Sequence, residues 1–358
     1  MTLPRTSQAL QGLARPHPRD RRAALVHLSR ITPVVFLASI LVALLPASPV
    51  AGQELLDEIS ILTEENAQAY AAPLTEGLAY ALSGGFTDRS VPLEGMRFDI
   101  GVRVLGARPG EGSGTFQALL PDSALFEGRT FQDPYRPQDG SLETPSIAGS
   151  GDGIVLVPDG EFRSYLQDQG VDPDQVRLAF PGGLDLPLTP LLALHGTLGI
   201  GMGSEVSVRF LPAFEAVPEL GSFRSHGFSV SHHLSRWFTS PIDLTATAGY
   251  QKASSEDFFE SSALHYGLTG GLRAGPMDFY GGALLRSGST RVDYQIEVGG
   301  DVPGLPADGT RLTFESDVST ETGYLLGARL QLLALNLSGH YTFGEQDVVS
   351  LKLGMGVP

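Results

Sequence analysis

Cysteine is absent from this chain of 358 residues, and lysine occurs only twice, at Lys252 and Lys352. Without a thiol the protein has no disulfide scaffold, no thiolate zinc or iron–sulfur site and no cysteine nucleophile. Charged residues are also scarce, at 18%, against roughly 25% in an ordinary soluble domain. The 44 glycines stand out, although glycine and proline together stay below the share typical of collagen or a disordered chain. These counts indicate a folded, glycine-rich protein.

Only one long apolar run is present, from Ile31 to about Ala47, and it follows a basic stretch with six arginines. A positively charged start, a short apolar run and small residues before Gly52 are typical of a secretory signal peptide. We therefore predict that residues 1–51 are a cleaved signal. The alternative is a retained membrane anchor, although the run is marginal for the ~20 residues of a spanning helix. The remaining chain has 18 basic and 39 acidic residues, which argues against nucleic acid as a partner.

A helical pattern occupies the next region, residues 52–90, between about Glu54 and Leu82. Apolar residues recur there every fourth position, at Tyr70, Leu74, Leu78 and Leu82. Pro73 would kink the helix, and Gly84 and Gly85 would end it. Because one side is so apolar, the helix has to bury that side somewhere. We expect either a plug-like segment in a pore or a cap that only stabilises one mouth of a barrel.

From Arg97 onward the apolar residues alternate with polar ones, which predicts β-strands. After Leu191 this alternation persists to the end of the chain; for example, Val206, Val208 and Phe210 interleave with Glu205, Ser207 and Arg209. Residues 109–190 are instead rich in Gly, Pro, Asp and Ser, with a few short strand-like pieces. Such a long irregular stretch indicates a surface excursion or an appended subdomain.

Three features favour a barrel in lipid over a β-sandwich in water for residues 91–358. The segments are about ten residues long, the polar faces carry Gly, Ser and Thr rather than Lys and Glu, and short and long connections alternate. The predicted fold class is therefore all-β, a transmembrane antiparallel β-barrel of about 10–14 strands with an N-terminal helical segment. Two of the strands, Tyr280–Ile296 and Arg311–Leu330, are long enough to rise beyond the bilayer, with bulges near Ser287 and Thr320. Both termini are expected at the periplasmic end, and a secreted sandwich is the alternative.

The polar faces of the strands supply the candidate residues lining the lumen. These residues are Arg97, Asp99, Arg103, His195, Arg209, Asp243, His265, Arg273, Arg286, Arg329 and Lys352. The charges among them indicate either rings that select a solute or a paired network that fills a narrow barrel. The histidines lack metal-ligand spacing, and the chain has no GxSxG motif of a serine hydrolase. We therefore predict neither an enzyme nor a metal or cofactor site.

Several segments also resemble an uncharacterised family of bacterial outer-membrane barrels. They include AQAYAAPLTEGLAYALSGGF, FDIGVRVLGA, FPGGLDLPL, GMGSEVSVRFLP, FSVSHHLSRWF, PIDLTATAGYQK and RLQLLALNLSGHYTFGEQDVVSLKLGMGV. The resemblance covers about Gln68–Ala107 and Phe180–Val357. That family is distantly similar to the long-chain fatty-acid transporter barrels, and this similarity implies a pore for hydrophobic solutes that is plugged by an N-terminal helix. The chain departs from most such barrels because it ends in Val357-Pro358 rather than in an aromatic residue.

The resulting functional expectation is a passive channel or transporter for small, hydrophobic solutes in the bacterial outer membrane. Its partners would be outer-membrane lipid, the barrel-insertion machinery and an unknown small solute. The alternative is a structural or interaction barrel with a closed lumen, whose acidic loops and residues 109–190 meet a partner.

Overall fold

The computed structural model of the protein describes residues 62–215, 222–255, 258–296, 303–305, 307 and 309–356. The predicted signal segment, 1–51, and the first residues of the predicted helix lie outside the described residues. No helix in the described part of the chain is both long and apolar enough to cross a membrane.

Ten antiparallel strands close into a barrel in which each strand pairs with its neighbours in the chain. The strands are β1 (Phe98–Ala107), β9 (Thr189–Gly201), β10 (Ser204–Glu215), β11 (Ser222–His233), β12 (Asp243–Ser255), β13 (Phe259–Ala274), β14 (Met277–Gln295), β15 (Arg311–Leu332), β16 (Leu335–Phe343) and β17 (Val348–Gly356). β1 pairs with β17 on one side and with β9 on the other, which closes the sheet. The predicted all-β closed barrel is confirmed, with ten strands rather than twelve or fourteen.

The strands bury their polar residues and expose their apolar ones, the reverse of a water-soluble sheet. On β9, His195 and Thr197 are 3% and 4% exposed, whereas Leu194 and Leu198, which flank the two, are 37% and 39% exposed. The same alternation runs around the barrel because successive side chains of a strand point to opposite faces. Around these positions the interior of the barrel is therefore polar and its outer surface apolar, whereas farther along the strands inward residues such as Leu105, Leu191 and Val318 are apolar.

The two ends of the barrel differ in their connections. At one end, which we call the turn end, two-residue connections join β9 to β10, β13 to β14 and β15 to β16, and residues 234–242 join β11 to β12. At the other, the loop end, the strands are joined by residues 216–221, 256–258, 296–310 and 344–347. Gly356 lies at the turn end, where its N–H donates to the carbonyl of Ala334. Leu62 lies at the loop end, where its carbonyl accepts from the hydroxyl of Tyr294. The predicted common location of both termini concerns residues outside the described chain.

The two longest strands, β14 and β15, carry the predicted irregularity. Their register shifts between Arg286, which pairs with Glu321, and Gly288, which pairs with Val318. On the turn-end side of this bulge the outward residues are apolar, and on the loop-end side they are polar, as at Arg291 and Glu315. The bulge therefore coincides with the boundary of the apolar outer surface.

Residues 109–188 form a subdomain at the loop end rather than additional barrel strands. Its elements are β2 (Thr115–Gln117), β3 (Ser123–Phe126), β4 (Arg129–Gln132), β5 (Tyr135–Pro137), β6 (Glu143–Pro145), β7 (Val155–Pro158), α2 (Gly160–Asp168) and β8 (Leu178–Ala179). They pair as three small sheets, β2–β6, β3–β4 and β5–β7–β8. Their buried residues form one hydrophobic cluster with Val292, Tyr294 and Phe314 of the barrel. The subdomain thus packs on the loop ends of β14 and β15.

The centre of the subdomain is Phe162 of α2, which is 1% exposed. Its ring lies 5.0 Å from that of Phe131 and 5.7 Å from that of Tyr135, between ring centroids. Phe162→Ala is expected to destabilise the subdomain by about 3–5 kcal/mol, because it removes a buried aromatic ring and leaves a cavity. Limited proteolysis should then cut within 109–188 while the barrel keeps its folded gel mobility. Leu125→Ala, at a residue 66% exposed, is the control and should leave proteolysis unchanged.

Candidate functional site: the barrel interior

The helix α1 (Glu64–Ser83) runs from the loop end toward the middle of the barrel and contacts six barrel strands. Near its start, the amide of Asn66 exchanges two hydrogen bonds with the backbone of Leu119 in the subdomain, at 3.0 and 2.9 Å. Further along, the carbonyl of Thr75 accepts from the hydroxyl of Thr290, which faces inward from β14. The helix accommodates Pro73, and its first turn carries Glu64 and Glu65, where the helix dipole favours negative charge.

An extended stretch continues from α1 to the turn end, and we call residues 64–92 the interior segment. Every residue from Ala79 to Ser90 is buried. Arg209 of β10 donates to the carbonyls of Leu82 and Gly84, at 3.2 and 2.8 Å. These bonds satisfy carbonyls at the end of α1 that have no partner within the helix. The interior segment is therefore tied to the barrel wall at its midpoint.

Glycines in the wall provide the space that the interior segment occupies. A Cβ at Gly249 of β12 would lie 2.9 Å from the ring of Phe86, and one at Gly271 of β13 would lie 2.4 Å from Cβ of Ser90. A Cβ at Gly288 of β14 would lie 3.0 Å from that of Ala79. Real Cβ atoms essentially never approach other atoms closer than about 3.0 Å, so larger residues at these positions would displace the segment. The richness in glycine noted in the sequence thus has a structural reason at three strands.

Asp88 of the interior segment is the centre of a cluster of buried charges. Its carboxylate contacts Nζ of Lys352 at 2.7 Å and Nε of Arg89 at 2.8 Å. Arg103 and Arg329 approach it at 3.4 and 3.8 Å. All five side chains are less than one-tenth exposed. One carboxylate of the interior segment therefore joins β1, β15 and β17.

Asp99, near the start of β1, is the second carboxylate of the cluster. It contacts Nζ of Lys352 at 2.6 Å and the guanidinium groups of Arg329 and Arg89 at 2.7 and 3.2 Å. The two carboxylates share these cations, which offsets the cost of removing the charges from water. The arrangement is the paired network that the sequence left open as one of two interpretations.

Two further carboxylates of the wall hold the backbone of the interior segment. Glu205 of β10 accepts from the N–H of Leu93 at 2.8 Å, just beyond the segment. Asp278 of β14 accepts from the N–H of Ser90 at 3.0 Å. Hydrogen bonds to charged acceptors are stronger than neutral ones, so these two bonds fix the extended stretch near the turn end.

Arg209 and Arg286 lie closer to the loop end than the cluster and contact aromatic rings of the interior segment. The guanidinium of Arg209 lies 3.6 Å from the ring centroid of Phe86, and that of Arg286 lies 4.8 Å from the ring centroid of Tyr80. Arg286 is also paired with Glu321 of β15. Such cation–π contacts gain strength where water is excluded.

The two predicted histidines, His195 and His265, and a third, His340 of β16, face the interior with separate surroundings. Nε2 of His195 lies 3.1 Å from the hydroxyl of Thr197. The ring of His265 lies 5.2 Å from that of Phe86, and the ring of His340 lies 6.3 Å from that of Tyr280, between centroids. Among the described residues no group of three or more His, Asp or Glu side chains is placed to hold a metal ion.

Eight of the eleven candidate lumen residues are buried in the interior: Asp99, Arg103, His195, Arg209, His265, Arg286, Arg329 and Lys352. The other three lie at the turn end, where Arg97 is exposed and the side chains of Asp243 and Arg273 are 36% and 54% exposed. Of the helix residues, Tyr70 and Leu82 are buried, whereas Leu74 and Leu78 are partly exposed.

Sequence reasoning missed Asp88 and Arg89, the residues of the interior segment that the cluster depends on. They lie outside the helical and strand patterns, so hydrophobic periodicity could not predict their position in the fold. The one signal present was the adjacent pair of opposite charges, Asp88 and Arg89, between Gly85 and the start of β1.

Removal of the Asp88 carboxylate tests the importance of the cluster. Asp88→Asn leaves four buried cations with one carboxylate fewer, so we expect a loss of about 3–5 kcal/mol in the free energy of unfolding. Denaturant titration of the purified protein would measure it. Asp168→Asn, at an exposed residue of the subdomain, is the matched control. Equal stability of the two variants would contradict a structural role for the cluster.

No curated protein matches the chain in sequence. A family model described as a family of unknown function (DUF6588) matches residues 30–357, which is nearly the whole chain. The resemblance drawn from the sequence segments is thus supported as far as an uncharacterised family. The protein with this closed ten-stranded barrel and charged interior belongs to the family of unknown function DUF6588.

Proposed function

We propose that the protein is a bacterial outer-membrane β-barrel that passes small solutes when its interior segment moves. The observation that carries this proposal is the apolar outer surface of the barrel. Large apolar residues such as Tyr266, Leu326 and Leu351 are more than half exposed there. Soluble monomers rarely expose a continuous apolar surface of more than a few hundred Å². A closed sheet also satisfies every strand without water, which lipid requires.

The outer surface has the dimensions and borders of a membrane band. Its apolar residues on β14 and β15 extend over Met277–Leu285 and Tyr324–Leu332, nine residues each. This length is near the ~9–11 residues of a tilted membrane strand. Trp237 and Phe238 are exposed at the turn end, and Tyr324 and Phe343 are exposed toward the loop end. Aromatic residues at both borders are typical of a protein in a bilayer.

The interior segment is the proposed gate. Its residues from Ala79 to Ser90 are all buried, and in the proposed mechanism passage requires a displacement of residues 64–92. The proposed role is passive, with neither catalysis nor a cofactor. The distant likeness to fatty-acid transporter barrels favours a hydrophobic solute, although the interior itself is polar. Export by a cleaved signal and insertion by the barrel-insertion machinery belong to the same proposal.

The second candidate is a structural or interaction barrel that stays closed. The buried charge cluster favours it, because a segment held by Asp88 and Asp99 is costly to move. The subdomain favours it as well, since it covers the loop ends of β14 and β15 and presents a separate surface to a partner. Conductance measured on variants whose interior segment is displaced distinguishes the two candidate functions.

An arginine introduced on the apolar outer surface tests the proposed membrane location. Leu326→Arg places a cation on the apolar band of β15, where we expect a loss of about 2–4 kcal/mol in lipid vesicles. Ser319→Arg, on the same strand but beyond the bulge, should change stability by less than about 0.5 kcal/mol. Urea titration of the two variants in vesicles measures the difference. An equal loss of stability with both arginines would contradict a bilayer around the turn-end half of β15.

The gate is tested by Gly249→Val, which places side-chain atoms where the ring of Phe86 lies. We expect this variant to conduct ions in planar bilayers at a level well above that of the unmodified protein. Gly196→Val is the matched control, because Gly196 faces outward and its Cβ would meet Val208 at an ordinary 3.6 Å. Heat-modifiable gel mobility shows that each variant is folded.

Deletion of residues 54–85 provides a second test of the same gate. A folded deletion variant and a folded Gly249→Val variant that both remain non-conducting would support the closed structural barrel instead. If the Gly196→Val control conducts and Gly249→Val does not, displacement of the interior segment is not the cause of the conductance.

A further inference from the structure

A cavity of about 400 Å³ lies at the turn end of the barrel, beside the charge cluster, which contributes Arg89 and Arg329 to its lining. The chain from Arg89 to Arg97 lines one side, and the β13–β14 turn from Arg273 to Asp278 lines the other. Arg329 and Gln331 of β15 complete it. The volume falls in the ~300–1,000 Å³ range of small-molecule sites.

Four arginines and two carboxylates line this cavity. Such a concentration of arginine is notable because the chain beyond residue 51 has 39 acidic residues and only 18 basic ones. Arg89 and Arg329 are buried, and their charges are balanced by Asp88 and Asp99. The attraction for an anion therefore depends on the arginines at the rim of the cavity.

The two remaining arginines lie at the rim. The side chain of Arg97 is exposed and makes no ion pair or hydrogen bond with any described residue; only its backbone carbonyl is engaged, by the N–H of Gly199 at 2.9 Å. Arg273 is 54% exposed; its Nη2 donates to the carbonyl of Val91 at 3.2 Å, and its Nε lies 3.7 Å from Asp278. Both guanidinium groups thus retain donors that face solvent. Guanidinium groups bind planar carboxylates and phosphates through two parallel hydrogen bonds.

We propose that this cavity binds a small organic molecule carrying an oxyanion, either a carboxylate or a phosphate monoester. Arg97 and Arg273 would donate to the oxyanion at the rim. Val91, Pro92 and Met277 also line the cavity and offer apolar contacts to the rest of the molecule. The site is reached from the turn end, so it requires no passage through the barrel and does not rest on the proposed gate.

The test uses the full chain in detergent, with benzoate and phenyl phosphate as probes in titration calorimetry. Arg97→Gln together with Arg273→Gln removes the two rim cations, and we expect the dissociation constant of the bound probe to rise at least about tenfold. Arg224→Gln together with Arg311→Gln is the matched control, because both arginines are exposed toward the loop end. The control pair should leave the dissociation constant unchanged.

The cavity itself is tested by Val91→Phe, which fills it without changing the charge and should weaken binding as well. Binding of one probe only identifies the oxyanion as carboxylate or as phosphate. The proposal is overturned if neither probe binds the unmodified protein at millimolar concentration. It is also overturned if the rim pair and the control pair lose affinity equally, or if Val91→Phe binds as tightly as the unmodified protein.

Discussion

A polar interior enclosed by an apolar outer surface is the constraint on which the remaining structure depends. Each strand turns Ser, Thr, His, Arg and Asp inward, so the interior holds many groups that need polar partners. The wall contributes three cations to the cluster, Arg103, Arg329 and Lys352, and they require carboxylates. Asp88 of the interior segment supplies one of these carboxylates. The barrel and the segment inside it therefore stabilise each other.

This dependence makes the two ends of the molecule unequal. At the loop end the interior segment begins against the subdomain, where apolar packing around Phe162 and Tyr294 dominates. At the turn end the segment is held by ion pairs, and the N–H groups of Ser90 and Leu93 donate hydrogen bonds to Asp278 and Glu205. Charge thus concentrates on the turn-end half of the interior and continues into the arginine-lined cavity outside it.

Much of the wall was predictable from particular residues. Alternation placed Leu194 and Tyr266 outward and His195 and His265 inward, because side chains of a strand alternate whatever the surroundings. The break in alternation near Ser287 indicated the bulge of β14 and β15. Depth along the barrel was not predictable in the same way. Arg97 and Arg273 fall on the polar rows, yet they lie at the mouth, because alternation reports the face of a residue and not its height.

The sequence by itself determined the class of the fold, since two-residue periodicity over long segments and the scarcity of Lys on the polar faces are local properties of the chain. It also determined the helix around Tyr70, because helical spacing is equally local. Only the tertiary structure decided that the helix and the stretch after it occupy the interior and that Asp88 meets Lys352. It likewise decided that residues 109–188 form a subdomain instead of further strands. These features join residues that are distant in the chain, and no local pattern specifies which partner a buried charge finds.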